Sequence, residues 1–230
     1  MARATLHSGT RNASSWAMRA WLALRAAGVD FDELVVDIRR PQRYANLARI
    51  GRIAPPASVP VLDTGDGVIY DSLAIMEFAN DACGGRLLPA GIQDRAQARA
   101  LVAWQHAGLS SICRRISFES AFYPVRRALT AAEHAGCARL FPHYESLLLR
   151  HGGPWLFGAV SLADFAHVPT VVRLCAHDAD LAPWPATTAW TRALLAHPLV
   201  REWMDEAERL PPVWCDDYLE HDAWPDAAAA

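Results

Sequence analysis

Two adjacent serines, Ser14 and Ser15, end a polar loop that starts at Gly9, and the segment after them has the pattern of a helix. The first backbone N–H groups of a helix have no partner inside the helix, and the helix dipole is positive at this end. The position therefore favours an anion, and a serine hydroxyl placed there can donate a hydrogen bond to a thiolate. Taken alone, the pair is also explained by one serine capping the helix.

A second pair of candidate binding residues, Asp71 and Ser72, stands at the predicted start of another helix. The backbone N–H and hydroxyl of Ser72 can receive a carboxylate, and the Asp71 side chain can accept hydrogen bonds from an ammonium group. Together they suit the α-amino-acid end of a peptide-like ligand. Asp71 could also serve only as a helix cap.

The elements that position these residues lie in the N-terminal third of the chain. Alternating and periodic apolar patterns predict strands at 4–7, 31–37, 59–63 and 68–70, and helices over 15–27 and from 71 onward. Gly28 ends the first helix, and a glycine-containing turn at 64–67 joins a hairpin. Strand, helix, strand, irregular segment, hairpin and helix is the order of a thioredoxin-like domain.

The rest of the chain has the pattern of an all-helical domain, so the predicted fold class is α/β followed by all-α. Apolar residues recur at three- and four-residue intervals over 93–116, 130–150, 161–177 and 187–209. Gly84, Gly85 and Pro89 separate the two parts. We therefore predict a thioredoxin-like domain over 1–83, a linker over 84–91, and a helical domain over 92–230 with an irregular tail from 211, a loose end or a flap over the site.

Ser161 and Asp164 have the spacing of a helix capping box, with Asp in place of the usual Glu. Such a pair satisfies backbone groups at the start of a helix. We assign both residues to folding and not to catalysis.

Bulk properties exclude several function classes. The 230 residues are 52% hydrophobic with a net charge of −3 and no basic tract, which gives no electrostatic case for nucleic-acid binding. No apolar run approaches the roughly 18 residues of a membrane span, and the first residues lack a signal-peptide pattern, so we expect no membrane association and a cytoplasmic protein. The histidines show no metal-binding motif, and we expect no metal. Five widely spaced cysteines are expected to be reduced thiols: Cys83, Cys113, Cys137, Cys175 and Cys215.

Four segments in order, 12–24, 58–62, 70–78 and 155–165, resemble a known family. The first three are similar to the glutathione-binding domain of cytosolic glutathione S-transferases, and the fourth is similar to a signature of that family's helical domain. Within the family, the chain resembles the serine-type bacterial and zeta-like branch. The resemblance implies that glutathione is the co-substrate and that a small electrophile binds the helical domain.

The resemblance also implies roles for individual residues. Alignment with the zeta-like enzymes places the catalytic serine at Ser14, and the theta-like spacing places it at Ser15; we prefer Ser14, which would donate a hydrogen bond to the glutathione sulfur. Glutathione would otherwise be held by five residues, with a cis bond before the proline: Ser58, Val59, Pro60, Asp71 and Ser72. Candidate electrophile-pocket residues, each also explicable as core packing, are Trp16, Trp104, His106, Ile112 and Phe118.

Two positions depart from the family pattern. Ser58 stands where a Lys or Gln often reaches the glycyl carboxylate of glutathione, so a basic residue could substitute, with Arg11, Arg43 and Arg52 as candidates. Ala13 replaces a common aromatic residue, which should widen the mouth of the site. In the helical domain, Arg114 and Arg115 could hold an acidic substrate group or lie in solvent.

The sequence therefore predicts a glutathione transferase that stabilises the glutathione thiolate for attack on a small hydrophobic electrophile. One alternative is a glutathione-dependent isomerase of the maleylacetoacetate type, which returns glutathione unchanged. The other is a non-catalytic module with a glutathione-binding fold. The family resemblance implies a homodimer.

Overall fold

The computed structural model describes residues 3–109 and 112–214. The strands are β1 (Ala4–Gly9), β2 (Phe31–Val36), β3 (Val61–Asp63) and β4 (Val68–Tyr70). The helices of the first part are α1 (Ser15–Ala27), α2 (Arg43–Ile50) and α3 (Ser72–Ala82). Those that follow are α4 (Ile92–His106), α5 (Ile112–Arg115), a 3₁₀ helix (Glu119–Phe122), α6 (Ala131–His151), α7 (Leu162–Ala176), α8 (Pro185–Ala196) and α9 (Pro198–Ala207).

The four strands form one mixed sheet in the order β2-β1-β3-β4. β1 is parallel to β2 and antiparallel to β3, with Leu6 opposite Leu62 at the centre. Both of these leucines are fully buried, and α1 and α3 cover the sheet with Met18, Leu22 and Ile75. This arrangement confirms the predicted thioredoxin-like domain followed by a helical domain, whereas the exact boundaries at 83 and 92 stay a prediction.

Several predicted elements differ from the observed ones. The helix predicted over 93–116 is interrupted, because Gly108 and Leu109 adopt left-handed φ values of 91° and 50° and end α4. The helix predicted over 187–209 is two helices, because Pro198 cannot continue α8 and instead starts α9. Helix α2 and the 3₁₀ helix were absent from the prediction.

Helix α7 is the buried centre of the helical domain, and its start has the predicted capping box. The Asp164 carboxylate accepts hydrogen bonds from the Ser161 backbone N–H and hydroxyl, each at 2.9 Å. It also accepts from the Leu156 N–H at 3.1 Å and from the Trp190 ring N–H at 2.9 Å. Asp164 thus joins three segments of the domain.

Helix α9, the last of the described helices, packs against the first domain next to the loop that leads into α1. The Trp203 ring N–H donates to the Arg11 carbonyl at 3.0 Å, and its ring packs edge-on against Trp21 at 5.6 Å between centroids. Arg11 forms ion pairs with Glu33 at 2.6 Å and with Glu206 at 2.7 Å. Across the part of the chain that the structure describes, no helix is long and apolar enough to cross a membrane.

His167, on the buried face of α7, makes the stability of the fold sensitive to acid. Its Nδ1 donates to the Ala163 carbonyl at 2.8 Å, since a carbonyl can only accept, and burial lowers the pKa of His167 to about 3. The unfolded chain therefore binds a proton below about pH 6.5 that the folded protein does not. Stability from this residue is present above that pH and is lost as pH falls toward 3.

We expect His167→Leu to flatten the pH dependence of stability in this window. Urea unfolding between pH 6 and 4.5 should show a slope in the free energy of unfolding that is lower by up to about 1.4 kcal/mol per pH unit than in the wild type. His134→Leu, at an exposed position on α6, is the matched control and should keep the wild-type slope. If the free energy of unfolding has the same slope against pH in His167→Leu and in the wild type, His167 is not the source of the acid sensitivity.

Candidate active site

The start of α1 opens onto a cleft of about 370 Å³ between the two domains, which we call the serine cleft. Ser14 and Ser15 line it together with residues from both sides. The first domain also contributes Ala13, Trp16, Ile38, Arg43, Leu47, Ser58 and Val59. The helical domain contributes Cys113, Ser117, Phe118, Glu119 and Arg173.

Ser14 caps α1 and faces the cleft at the same time. Its hydroxyl oxygen accepts a hydrogen bond from the Ala17 N–H at 3.2 Å, and the residue is only 3% exposed. A hydroxyl that accepts one hydrogen bond still has a proton to donate. The capping and the functional roles of Ser14 are therefore compatible, and the helix start adds its dipole to the same point.

Gly9 allows this arrangement because it lies directly behind Ser14. A Cβ atom at Gly9 would stand 2.6 Å from the Ser14 Cβ, 2.8 Å from its Oγ and 3.0 Å from the Val59 Cγ2. These distances are too short for carbon, so only glycine fits at the end of β1. The close approach places Ser14 beside the segment that leads into β3.

Ser15 has a different environment. Its hydroxyl accepts from Arg19 Nη1 at 3.4 Å, while Arg19 Nε donates to the Ala166 carbonyl at 2.9 Å. The Arg19 guanidinium also stacks 4.7 Å from the centre of the Trp16 ring. Burial, followed by the nearby charge of Arg173, lowers the pKa of Arg19 to about 9. Ser15 thus contacts a buried cation that links α1 to α7.

The segment before β3 brings two more predicted residues to the serine cleft. Ser58 and Val59 both line it, and the Val59–Pro60 peptide bond is cis. Of the three arginines considered in place of a basic residue at position 58, Arg43 lines the cleft. Arg11 is instead held by its ion pairs with Glu33 and Glu206.

Asp71 and Ser72 lie next to this cleft and are not part of its lining. Asp71 has φ 77°, a strained value for a residue with a side chain, and its carboxylate caps α3 by accepting from the Leu73 N–H at 2.7 Å. The other carboxylate oxygen lies 3.4 Å from His106 Nε2. The Ser72 hydroxyl is buried and has no hydrogen-bond partner among the described residues. Buried hydroxyls usually have a hydrogen-bond partner, and a ligand bound at this position would supply one to Ser72.

The five candidate electrophile-pocket residues separate into different environments. Trp16 and Phe118 line the serine cleft. His106 touches Trp16 edge-on at 5.2 Å between ring centroids and so connects the cleft to Asp71. Trp104 lines another cleft of about 430 Å³ between α4 and α6, where its ring packs against His143 at 6.0 Å.

The fifth of these candidates, Ile112, and the two arginines Arg114 and Arg115 are not part of the serine cleft lining. Ile112 is 5% exposed and packs in the core of the helical domain, where a Cβ at Gly136 would lie 3.0 Å from it. Arg114 is exposed and Arg115 half-buried, and the cleft lining contains neither.

Sequence reasoning missed Arg173, which lines the serine cleft and is 2% exposed. The signal was a charged residue inside the apolar stretch of α7, a pattern that calls for an explanation because arginine is seldom buried without a partner. Cys113, on the same side of the cleft, was noted only as a reduced thiol.

The segment after α9 runs beside the site. The Asn12 side chain donates to the Pro211 carbonyl at 2.9 Å, and the Tyr123 hydroxyl donates to the Val213 carbonyl at 3.0 Å. Trp214 stacks on the Tyr123 ring with 4.3 Å between centroids. The rest of the predicted tail, including Cys215, lies outside the described residues. Within the described ranges, no group of three or more His, Cys, Asp or Glu residues is arranged to hold a metal ion.

The chain is similar to known proteins over most of its length. The family model described as "Glutathione S-transferase, N-terminal domain" matches residues 13–82. The chain is 27% identical over 198 residues to maleylacetoacetate isomerase of Mus musculus, covering 83% of this chain and 87% of that protein. It is 29% identical over 190 residues to glutathione S-transferase 1 of Dianthus caryophyllus, covering 80% and 84%.

The fold has a similar relative among solved structures. A glutathione S-transferase-I bound with lactoylglutathione superposes with a TM-score of 0.73 at 21% identity, covering 89% of this chain and all of that one. The matched N-terminal segment, the relatives of similar length and the common architecture agree with one another. Residues 13–82 thus match the N-terminal domain of glutathione S-transferases, and the chain is similar to glutathione S-transferases and maleylacetoacetate isomerases over most of its length.

Proposed function

We propose that this protein is a glutathione transferase in which Ser14 stabilises the glutathione thiolate for attack on an electrophilic carbon. The observation that carries the proposal is the position of Ser14, at the start of α1 and in a cleft whose walls come from both domains. Family members of similar length and fold support the activity. The reaction is of the kind that detoxifies electrophiles, and we place the enzyme in the cytoplasm.

Glutathione has a complementary site along the first domain. The γ-glutamyl carboxylate would bind the Ser72 N–H and its unpartnered hydroxyl, and the ammonium group would bind Asp71. The cysteinyl part would lie along Val59, which is next to Ser14 across Gly9. Arg43, the basic residue of this side of the cleft, suits the glycyl carboxylate.

The chemistry follows from the ionisation of the thiol. A free thiol has a pKa near 8.5, and a charge-assisted hydrogen bond from Ser14 contributes on the order of 1.5–3 kcal/mol, or about one to two pKa units. At the upper end of this range the thiolate is the major form of the bound thiol at neutral pH. Its sulfur forms a bond to the electrophilic carbon, and the leaving group departs with its electron pair or the added electrons are protonated.

We expect Ser14→Ala to raise the apparent pKa of the bound thiol by about one unit or more, while the Kd for glutathione changes little. The measurement is thiolate absorbance of the binary complex against pH, together with kcat/KM for 1-chloro-2,4-dinitrobenzene. Because Ser14 also caps α1, the free energy of unfolding of the Ser14→Ala variant should fall by about 0.5–2 kcal/mol, and its melting temperature should fall with it.

Two variants serve as controls for this experiment. Ser72→Ala should weaken glutathione binding and leave the pKa of the bound thiol near the wild-type value. Ser15→Ala should leave both quantities near wild type, since its hydroxyl contacts Arg19. If Ser15→Ala raises the thiol pKa and Ser14→Ala does not, the sulfur contact belongs to Ser15.

A second candidate function is a glutathione-dependent cis–trans isomerase. The similarity to maleylacetoacetate isomerase of Mus musculus favours it, because that match extends over most of both chains. Such a reaction would use the same thiolate, add it to an unsaturated acid and then eliminate it. Turnover of a maleyl ketone without consumption of glutathione would identify this activity, whereas a non-catalytic module would show neither reaction.

We also propose a homodimer with two-fold symmetry, in which the first domain of one subunit meets the helical domain of the other. Exposed apolar side chains on the first domain and on the helical domain support this dimer. Val68 and Tyr70 on β4 are 39% and 44% exposed, and Leu149 on α6 is 69% exposed.

A further inference from the structure

Cys113 is a thiol on the wall of the serine cleft that the proposed conjugation reaction does not use. It is half-buried and free, and it lines the cleft from the helical domain, whereas Ser14 and Val59 line it from the first domain. The Thr170 hydroxyl lies 3.9 Å from its sulfur, within hydrogen-bonding distance for a sulfur atom. A ligand that fills the cleft can therefore meet this thiol.

The other described cysteines have different surroundings. Burial raises the pKa of Cys137 to about 11 and raises that of Cys175 above its usual value. Both are protonated at neutral pH, whereas the thiolate is the reactive form of cysteine. Cys83 is half-buried at the end of α3, where its thiol donates to the Asn80 carbonyl at 3.2 Å. Among the cysteines that the structure describes, Cys113 alone lines the serine cleft.

A second observation shows that the wall around Cys113 faces a ligand position. Arg173 lines the same wall and is 2% exposed, and its Nε and Nη1 atoms have no hydrogen-bond partner among the described residues. Burial and the charge of Arg173 lower the pKa of Arg19, whereas a negative charge at Cys113 raises it, for a net value of about 9. Reactive cysteines are partly exposed and lie beside cations, which is the setting of Cys113.

We propose that Cys113 is a glutathionylation site, where reaction with glutathione disulfide forms a mixed disulfide that blocks the serine cleft to the second substrate. The proposal rests on the proposed function, because one half of the disulfide would occupy the glutathione site with its sulfur at Ser14. The other half would extend toward the helical domain, where Cys113 and Phe118 line the cleft. Conjugation would then stop when glutathione disulfide accumulates.

The step is a thiol–disulfide exchange in which glutathione disulfide is the oxidant. The Cys113 thiol loses its proton to solvent, and the thiolate attacks the sulfur of the half that lies nearer to it. A new sulfur–sulfur bond forms, the bond between the two glutathione sulfurs breaks, and the half at Ser14 leaves as a thiolate with the electron pair. The Ser14 hydroxyl would stabilise this leaving group, because a thiol of lower pKa leaves faster. Attack of reduced glutathione on the mixed disulfide reverses the reaction.

The test treats the whole protein with glutathione disulfide at neutral pH and measures intact mass, peptide masses and conjugation of glutathione to 1-chloro-2,4-dinitrobenzene. We expect a single glutathionyl group per chain at Cys113, with a loss of activity in proportion to the labelling. Dithiothreitol should remove the label and restore activity. Cys113→Ser should have the same activity before and after treatment, whatever that activity is. Cys83→Ser, at a half-buried cysteine outside the cleft lining, is the matched control and should respond as the wild type does.

Three further measurements separate a binding site from a thiol that is merely accessible. S-hexylglutathione, which would occupy the glutathione site without a free thiol, should protect Cys113. Bis(2-hydroxyethyl) disulfide should label Cys113 at least about tenfold more slowly than glutathione disulfide, because binding in the cleft positions the reacting sulfur. Ser14→Ala should slow labelling by glutathione disulfide several-fold and leave labelling by bis(2-hydroxyethyl) disulfide unchanged.

The proposal is wrong if glutathione disulfide labels Cys83, Cys175 or Cys215 in preference to Cys113, or if the two disulfides label Cys113 at equal rates. Full conjugation activity in the labelled protein, or loss of activity in treated Cys113→Ser, would also overturn it. If the untreated wild type does not conjugate 1-chloro-2,4-dinitrobenzene, that result counts against the proposed function alone, since labelling of Cys113 and its protection by S-hexylglutathione are measured by mass.

Discussion

Replacing Gly9 by alanine is expected to lower kcat/KM for glutathione conjugation by about a hundredfold, although the changed residue would not touch either substrate. The added methyl group would lie 2.6 Å from the Ser14 Cβ and 3.0 Å from the Val59 Cγ2, so both must move. Ser14 is proposed to bind the sulfur and Val59 to bind the cysteinyl backbone. A displacement of about 1 Å in such groups can cost this much in rate.

The measurement is steady-state kinetics with 1-chloro-2,4-dinitrobenzene, accompanied by thermal unfolding. The overpacked site should also destabilise the fold by about 1–3 kcal/mol. Gly67→Ala is the matched control, because a Cβ at Gly67 meets no atom within 4 Å. Wild-type kinetics in a folded Gly9→Ala protein would show that the position of Ser14 does not matter for turnover.

Replacing Asp164 by alanine is expected to destabilise the protein by at least about 3 kcal/mol while the folded fraction keeps near-normal turnover. The carboxylate accepts four hydrogen bonds, from the Leu156 N–H, the Ser161 N–H and hydroxyl, and the Trp190 ring. Alanine would leave these donors buried without partners, at about 1–3 kcal/mol for each unsatisfied group that cannot relax. Asp164 is completely buried and is not part of the serine cleft lining.

Thermal and urea unfolding measure this effect, with soluble yield as a second indicator. For a chain of this size, each kcal/mol lowers the melting temperature by roughly 2–4 °C. Asp66→Ala, in the exposed turn before β4, should leave the melting temperature unchanged. If the Asp164→Ala protein has normal stability but no activity, the assignment is wrong and Asp164 has a catalytic role.

The sequence determined the features that depend on neighbours within about one helical turn. Ser14 at the start of α1 and the Ser161–Asp164 capping box were predictable because a cap bonds to backbone groups two or three residues away. The succession of strands and helices along the first domain followed from alternating patterns and a glycine turn, whereas the order of the strands in the sheet did not. The break at Gly108 was missed because glycine is also tolerated inside helices, and the apolar spacing continued past it.

Tertiary structure decided which of the candidate side chains share a site. Trp104 and Phe118 have similar aromatic character in the sequence, but only Phe118 lines the serine cleft, since the rotation of each element about its axis is set by packing. Arg43 and Arg11 were equal candidates until the fold brought Glu33 and Glu206 to Arg11.

Arg173 shows the same limit most clearly. In the sequence it is one charge in an apolar helix, and nothing local tells whether a carboxylate from another element will meet it. Among the described residues, its Nε and Nη1 atoms have no hydrogen-bond partner, a property of contacts between residues far apart in the chain. Short sequence patterns predict local hydrogen bonds such as helix caps. Which residues line a cleft is decided only when elements distant in the sequence pack together.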